Sequence, residues 1–467
     1  LNLSDYLLER PNVVWFVVLT VLTVLGAIAM GLEQRQVVAV AIMLSFIYGT
    51  LLFWRLRLAF ALLGTSVLFL AGVLDTKHFV QFASLDIIVF LVGMMIIVGY
   101  LEKNHFFEHV LSHVMRLAGR STTRLIVLLM VLAAVFAALV DEVTSILFMT
   151  GLVLHLTGRL NLNPVPFVLM LVFATNVGSS ATVVGNPVGV MVALKGGLTF
   201  NDFLRWATPI TLVSLAVLIP LCLRLFREDI GRLREAMRNL NSGELFHAPA
   251  HGHVLPSALL FLAVITALVL HAPLEAQMGL PKNTLLLATA FLGAALVLFA
   301  EGNEAQKLVE TRVDWWTLLF FLFLFSSVGA LEFVGVTERL AHGLNAAVGT
   351  EPVVTLAMVM LSTGILSALL DNVLAVAVFI PVVNQLATLG GATNHLWWAM
   401  LFGGTLFGNL TVIGSTANII AVGLLERRKV GSITFNEWVR PGAVIVAVTT
   451  LVAFLGLYLQ LAWLTAG

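Results

Sequence analysis

An octet in the first half of the chain, Leu198-Thr-Phe-Asn-Asp-Phe-Leu-Arg205, returns about 235 positions later as Ile433-Thr-Phe-Asn-Glu-Trp-Val-Arg440. Three further landmarks recur in the same order at a near-constant offset. Val140-Asp-Glu-Val143 answers Leu370-Asp-Asn-Val373, Thr182-Val-Val-Gly185 answers Thr411-Val-Ile-Gly414, and Gly99-Tyr-Leu-Glu102 answers Gly329-Ala-Leu-Glu332. Chance matching of apolar segments rarely preserves four landmarks in register, so the chain reads as one unit used twice. A doubled membrane unit is a common plan for carriers that place a substrate at the interface between repeats.

The unit is a membrane unit because 60% of the residues are hydrophobic and only 11% charged, a balance that excludes a soluble globular domain. Continuous apolar runs of roughly 16 to 20 residues suit helical crossings, which need ~20, and not the short alternating strands of a barrel. Formal net charge is zero, so nothing favours nucleic acid. Cys222 is the only cysteine, which rules out an internal disulfide and a thiolate metal cluster; packing is its expected role. No metal site or cofactor is expected. The first apolar run, after Arg10, lacks a convincing cleavage site and reads as a retained span.

Eleven crossings are expected, near residues 13–32, 37–54, 58–74, 86–101, 165–195, 207–223, 255–272, 283–300, 314–331, 397–425 and 441–463. Two more apolar tracts, 122–157 and 354–388, are each interrupted at the centre, by Asp141-Glu142-Val-Thr144-Ser145 and by Asp371-Asn372. Each tract fits either two short spans or one re-entrant hairpin. A turn carrying such residues sits most easily where it lines a protected cavity, which favours hairpins. With a cytoplasmic N-terminus, only Arg35, Lys77, Lys195, Arg205, Lys282 and Arg339 of the 25 basic residues fall outside, as the positive-inside rule requires. The expected product is a multi-pass protein of the inner (plasma) membrane with its C-terminus outside. Its fold class is an all-α polytopic membrane protein.

After an extra N-terminal helix (1–35), the first repeat covers 36–223 and the second 254–467. Each contributes five crossings plus one interrupted tract, and five is odd, so the repeats are inverted. The linker 224–253 carries Arg224, Arg227, Arg232, Arg234 and Arg238 beside Phe226, Ile230, Leu233, Met237 and Leu240 at helical spacing. That pattern predicts an amphipathic helix lying on the cytoplasmic interface.

One span in each repeat is broken by glycine and polar residues, Thr175-Asn176 through Asn186-Pro187 and Thr405 through Asn418. Backbone groups freed from the helix ladder must meet side chains, water or substrate, so Asn176, Thr182, Asn186, Asn409, Thr411, Ser415 and Asn418 become candidate ligands. Asp141, Glu142 and Asp371 are the only acids this topology places deep in the membrane, with no deep Lys or Arg to pair them. Acids there cost at least ~2.5 to 3.5 kcal/mol, so they are candidates for proton coupling. Asp141 and Asp371 are repeat mates, which suits a shared structural role. Glu142 aligns with Asn372, breaks the symmetry and is the first choice as proton carrier. Glu102 and Glu332, at span ends, read as capping or snorkelling groups, and His155 as a secondary titratable group near the interface.

The tip motif, followed by Gly-x-x-x-Thr-x-x-Gly-Asn-Pro in one broken span and Gly-Asn-x-Thr-x-Ile-Gly-x-x-Ala-Asn in the other, resembles the ion transporter superfamily. The nearest branch is the ArsB, NhaD and melanocyte P-protein group, over nearly the whole chain from about residue 36. The resemblance implies a scaffold that mediates homodimerisation and a transport domain that moves in elevator fashion. It also implies that Asp141, Glu142, Thr144, Asp371, Asn372, Thr182, Asn186, Thr411, Ser415 and Asn418 surround the substrate. Where related permeases often carry Asp-Pro-Pro-Asn, this chain has Asn186-Pro187-Val188-Gly189, with Asn186 in place of the acid and Gly189 in place of the amide.

Three substrates fit such a site. The first choice, drawn largely from the resemblance, is proton-coupled efflux of arsenite or antimonite, a small inorganic solute held by amides, hydroxyls and carboxylates, with a soluble ATPase as a partner in arsenical efflux. Sodium/proton antiport is the alternative, the proton motive force or sodium being the energy source. Uptake of a carboxylate or oxyanion ranks third, because an anion would approach three acids.

Overall fold

Every regular element among the described residues is a helix, since a backbone without water must satisfy its own polar groups. The computed structural model describes residues 10–238, 253–348, 351–388, 392–428, 430 and 433–465. Among the described residues eleven helices are long and apolar enough to cross a bilayer, the number expected, but the membership differs. Three helices of the interrupted tracts qualify, Thr122–Leu139, Glu142–Leu160 and Pro352–Leu369. The run expected at 58–74 is instead a 14-residue helix, Arg57–Leu70. The two glycine-broken spans are pairs of shorter helices, Val165–Gly178 with Pro187–Gly196 and Asn394–Phe407 with Thr416–Arg427.

The chain forms two compact units, each drawing on both halves of the sequence. The smaller comprises Leu1–Ile88, Asp314–Glu351 and Ala377–Thr393. Its core is the helix Trp315–Phe333, against which Gln34–Leu52, Arg57–Leu70 and Thr76–Phe82 pack. Phe46 stacks on Phe320 with centroids 5.3 Å apart. Arg57, expected in a loop, is buried at the start of its helix. Its guanidinium lies 4.3 Å from the Trp54 ring centre and 4.9 Å from that of Phe320, and donates to Thr317 Oγ1 at 2.8 Å. Aromatic faces replace part of its lost hydration, so hydropathy misplaces it.

The larger unit comprises Val89–Val313, Pro352–Val376 and Asn394–Gly467 and holds both tips and both broken spans. The recurring octet marks helix starts here. Thr199 and Asp202 form a capping box, and so do Thr434 and Glu437, each Thr accepting from the backbone N–H three residues on while the acid accepts from the Thr backbone N–H at 2.8 Å. Behind each box an aromatic ring crosses to the other repeat. Phe203 packs edge-on to Trp398 at 5.0 Å, and Trp438 edge-on to Phe173 at 6.0 Å.

Two expectations change in this unit. The amphipathic segment after residue 224 is helical at Arg227–Ala236, but Ile230, Leu233 and Met237 are buried, and the helix packs on Thr122–Leu139 and Thr208–Leu225. Protein, not lipid, covers its apolar face; Leu240 and the rest of the linker to residue 252 lie outside the described residues. Glu102 is an ion-pair partner, its Oε1 2.5 Å from Arg312 Nη1, and Lys103 pairs with Glu301. Glu275, buried like Glu142 and Asp371, accepts the backbone N–H groups of Asn283 (3.0 Å) and Leu285 (2.7 Å).

Candidate functional site

Each polar tip begins a helix. Asp141, in extended backbone, accepts from Thr144 N at 2.8 Å and Thr144 Oγ1 at 2.6 Å, which starts Glu142–Leu160 and places Glu142 in its first turn. Asp371 accepts from Val373 N at 2.9 Å at the start of Asn372–Thr388. The breaks repeat this chemistry. Asn186 caps Pro187–Gly196 through Gly189 N at 2.8 Å, and Ser415 caps Thr416–Arg427 through Ala417 N at 3.2 Å.

The tips meet the breaks. Glu142 N donates to Gly185 O at 3.0 Å, and Thr416 Oγ1 donates to Asp371 Oδ2 at 2.8 Å. Thr182 Oγ1 donates to Ala138 O in the first repeat, and Thr411 Oγ1 to Ala368 O at 2.5 Å in the second. The interrupted tracts therefore turn beside the breaks in the broken spans. Four helix N-termini gather there, each with partial positive charge.

Glu142 sits among them, 2% exposed. Its Oε1 accepts from Asn372 Nδ2 at 3.3 Å and Ser415 Oγ at 3.4 Å, and its Oε2 from Asn186 Nδ2 at 3.4 Å. All these partners are neutral and buried. The contacts lie at the long limit of hydrogen bonding, unlike the 2.6 to 2.9 Å bonds that Asp141 and Asp371 make. Asp141 and Asp371 are thus engaged in holding helix starts, while Glu142 is surrounded but loosely held.

The candidate ligands divide into three groups. Asn186, Asn372 and Ser415 face Glu142 directly. Thr144, Thr182 and Thr411 are tied to the tips' own acid and carbonyl groups. Asn176 donates to both Asn409 and Asn418 in an adjoining buried cluster. Two residues outside the inferred set join the network: Thr416 on Asp371, and Ser179, which accepts from Asn186 at 2.8 Å. Their positions beside Ser415 and within the first break were the available signal.

Paired broken spans whose interruptions meet polar tips around buried carboxyl groups define a multi-pass secondary transporter, not an enzyme. The chain belongs to the CitMHS family, described as citrate transporter, whose profile matches residues 43–403. The uncharacterized transporter Rv2684 of Mycobacterium tuberculosis is 35% identical over 381 residues, covering 80% of this chain and 86% of its own. Human P protein is 23% identical over 88% of this chain and 58% of its own length, in line with the resemblance read from the motifs. The crystal structure of the Alcanivorax borkumensis YdaH transporter shares the fold, with a TM-score of 0.55 at 15% identity over 86% of this chain and 89% of that one.

Proposed function

We propose that this protein carries a small carboxylate of the citrate class together with protons or an alkali cation. The observation that carries the reading is Glu142: a buried carboxyl held only by neutral groups at long range, at the meeting point of four helix N-termini. Those N-termini favour the carboxylates of a substrate. Glu142, with Asp141 and Asp371 close by, repels the same anion until a cation neutralises the acids. Substrate and coupling ion are then bound together or not at all, which is the requirement for coupled transport.

Family membership favours this carboxylate reading over arsenite efflux, which rested on the resemblance, and over sodium/proton antiport. The ATPase partner belongs with arsenite and is set aside. Two inverted repeats, 36–223 and 254–467, working as a homodimer by elevator motion with the N-terminus in the cytoplasm, complete the proposal.

The test is purified protein in liposomes, offered labelled citrate, arsenite and sodium side by side under imposed proton or sodium gradients. Citrate accumulation driven by either gradient is expected. Arsenite or sodium movement without citrate uptake would overturn the reading.

A further inference from the structure

The amide orientations in the Asn176, Asn409 and Asn418 cluster follow from counting protons. Both Nδ2 protons of Asn418 go to backbone carbonyls, Gly408 O at 2.7 Å and Thr411 O at 2.8 Å, so its Oδ1 is the atom left to accept. Asn176 therefore presents Nδ2, 2.9 Å from Asn418 Oδ1 and 2.7 Å from Asn409 Oδ1, and both its protons are engaged. One acceptor, Asn176 Oδ1, and one donor, Asn409 Nδ2, remain buried with no partner. Turning either amide over breaks a bond already made. Unmet buried groups of this kind are uncommon and call for an occupant.

Charge selects that occupant. A cation would suit Asn176 Oδ1 and be repelled by the amide protons of Asn409; an anion would meet the reverse. A hydroxyl both donates and accepts, so its chemistry matches the acceptor and the donor alike. The cluster also adjoins the acid site. Ser179 Oγ donates to Asn176 O at 3.0 Å and accepts from Asn186, whose amide also reaches Glu142 at 3.4 Å. Packing fixes the backbone at Asn409, because the Trp438 indole N–H donates to its main-chain carbonyl at 3.1 Å and a methyl group on Gly442 would stand 2.5 Å from that same oxygen.

Building on the carboxylate reading above, we propose that Asn176 and Asn409 recognise a hydroxyl group on the substrate, so that the transporter selects hydroxy acids over their deoxy analogues. Both atoms are sealed here, and the hydroxyl reaches them as the broken spans part to admit substrate. A site built to bond a hydroxyl discriminates strongly against the analogue lacking it, because its own polar groups are then left unpaired.

The experiment is competition against labelled citrate uptake in liposomes holding the full chain, by unlabelled citrate and by tricarballylate, which has hydrogen in place of the hydroxyl. Tricarballylate is expected to compete at least about 100-fold more weakly. Asn409→Ala, and the near-isosteric and uncharged Asn409→Leu, should close most of that gap by weakening citrate while leaving tricarballylate unchanged. Equal competition by the two acids in the natural protein, as when water alone fills the cluster, overturns the proposal. So does equal weakening of both acids in the variants. Absence of labelled citrate uptake overturns it together with the carboxylate reading. Should the variants not fold, thermal stabilisation of the natural protein by each acid reads the same discrimination.

Discussion

The two repeats share a skeleton and differ in charge. Thr182 and Thr411 each donate to a carbonyl of their own tract, Ala138 and Ala368, and Thr199 and Thr434 open matching capping boxes. The aromatic rings behind those boxes cross to opposite broken spans. Chemistry departs from this symmetry at a few positions. Glu142 stands where the second repeat has Asn372, and Asn186 stands where it has Ser415. Backbone bonds that both halves need for their shape are duplicated, whereas the one loosely held acid occurs in a single copy. A site with two equivalent acids facing each other would double the repulsion toward an anion, and the Glu-to-Asn exchange replaces the second acid by a donor to the first.

The comparison can be broken first at Glu142. Glu142→Gln should equilibrate substrate without concentrating it, losing the roughly 50-fold accumulation that one coupled charge sustains per 100 mV. Gradient-driven uptake in liposomes at the natural level would remove Glu142 as the coupling group. Restoring symmetry with Asn372→Asp should lower carboxylate uptake at least about tenfold, since a carboxyl then replaces the amide facing Glu142. Initial rates that stay unchanged would show that the asymmetry is incidental.

Smaller effects test the shared skeleton. Thr182→Val and Thr411→Val should each cost about 1 kcal/mol of stability, by similar amounts, because each removes one buried hydroxyl-to-carbonyl bond. Thermal unfolding in detergent measures both, and a large loss confined to one half would deny their equivalence. Least affected should be Thr199→Ala and Thr434→Ala, at about 0.5 to 1 kcal/mol for a helix cap. A loss of transport with normal stability would give the octet a role beyond capping.

Much of the site was legible because polar residues inside apolar runs stand out, and the tips, breaks and unmatched Glu142 were all read that way. Residues whose role depends on distant partners were not. The burial of Arg57 depends on Phe320 and Thr317, more than 250 positions away, and the helix after residue 224 met a protein surface where its pattern had suggested lipid. Hydropathy averages over a window and carries no record of what lies across from a side chain.

Repeat structure, helical class and the acids at the two tips follow from local composition and order, because a bilayer imposes the same backbone requirement on every apolar run. The tertiary structure decided which polar groups share a neighbourhood. Asn186, Asn372 and Ser415 were brought to Glu142, and Asn176 was bonded to Asn409 and Asn418, across as many as 273 positions of chain. Hydrogen bonds act over about 3 Å in space and take no account of separation along the sequence, so only the packed helices could select those partners.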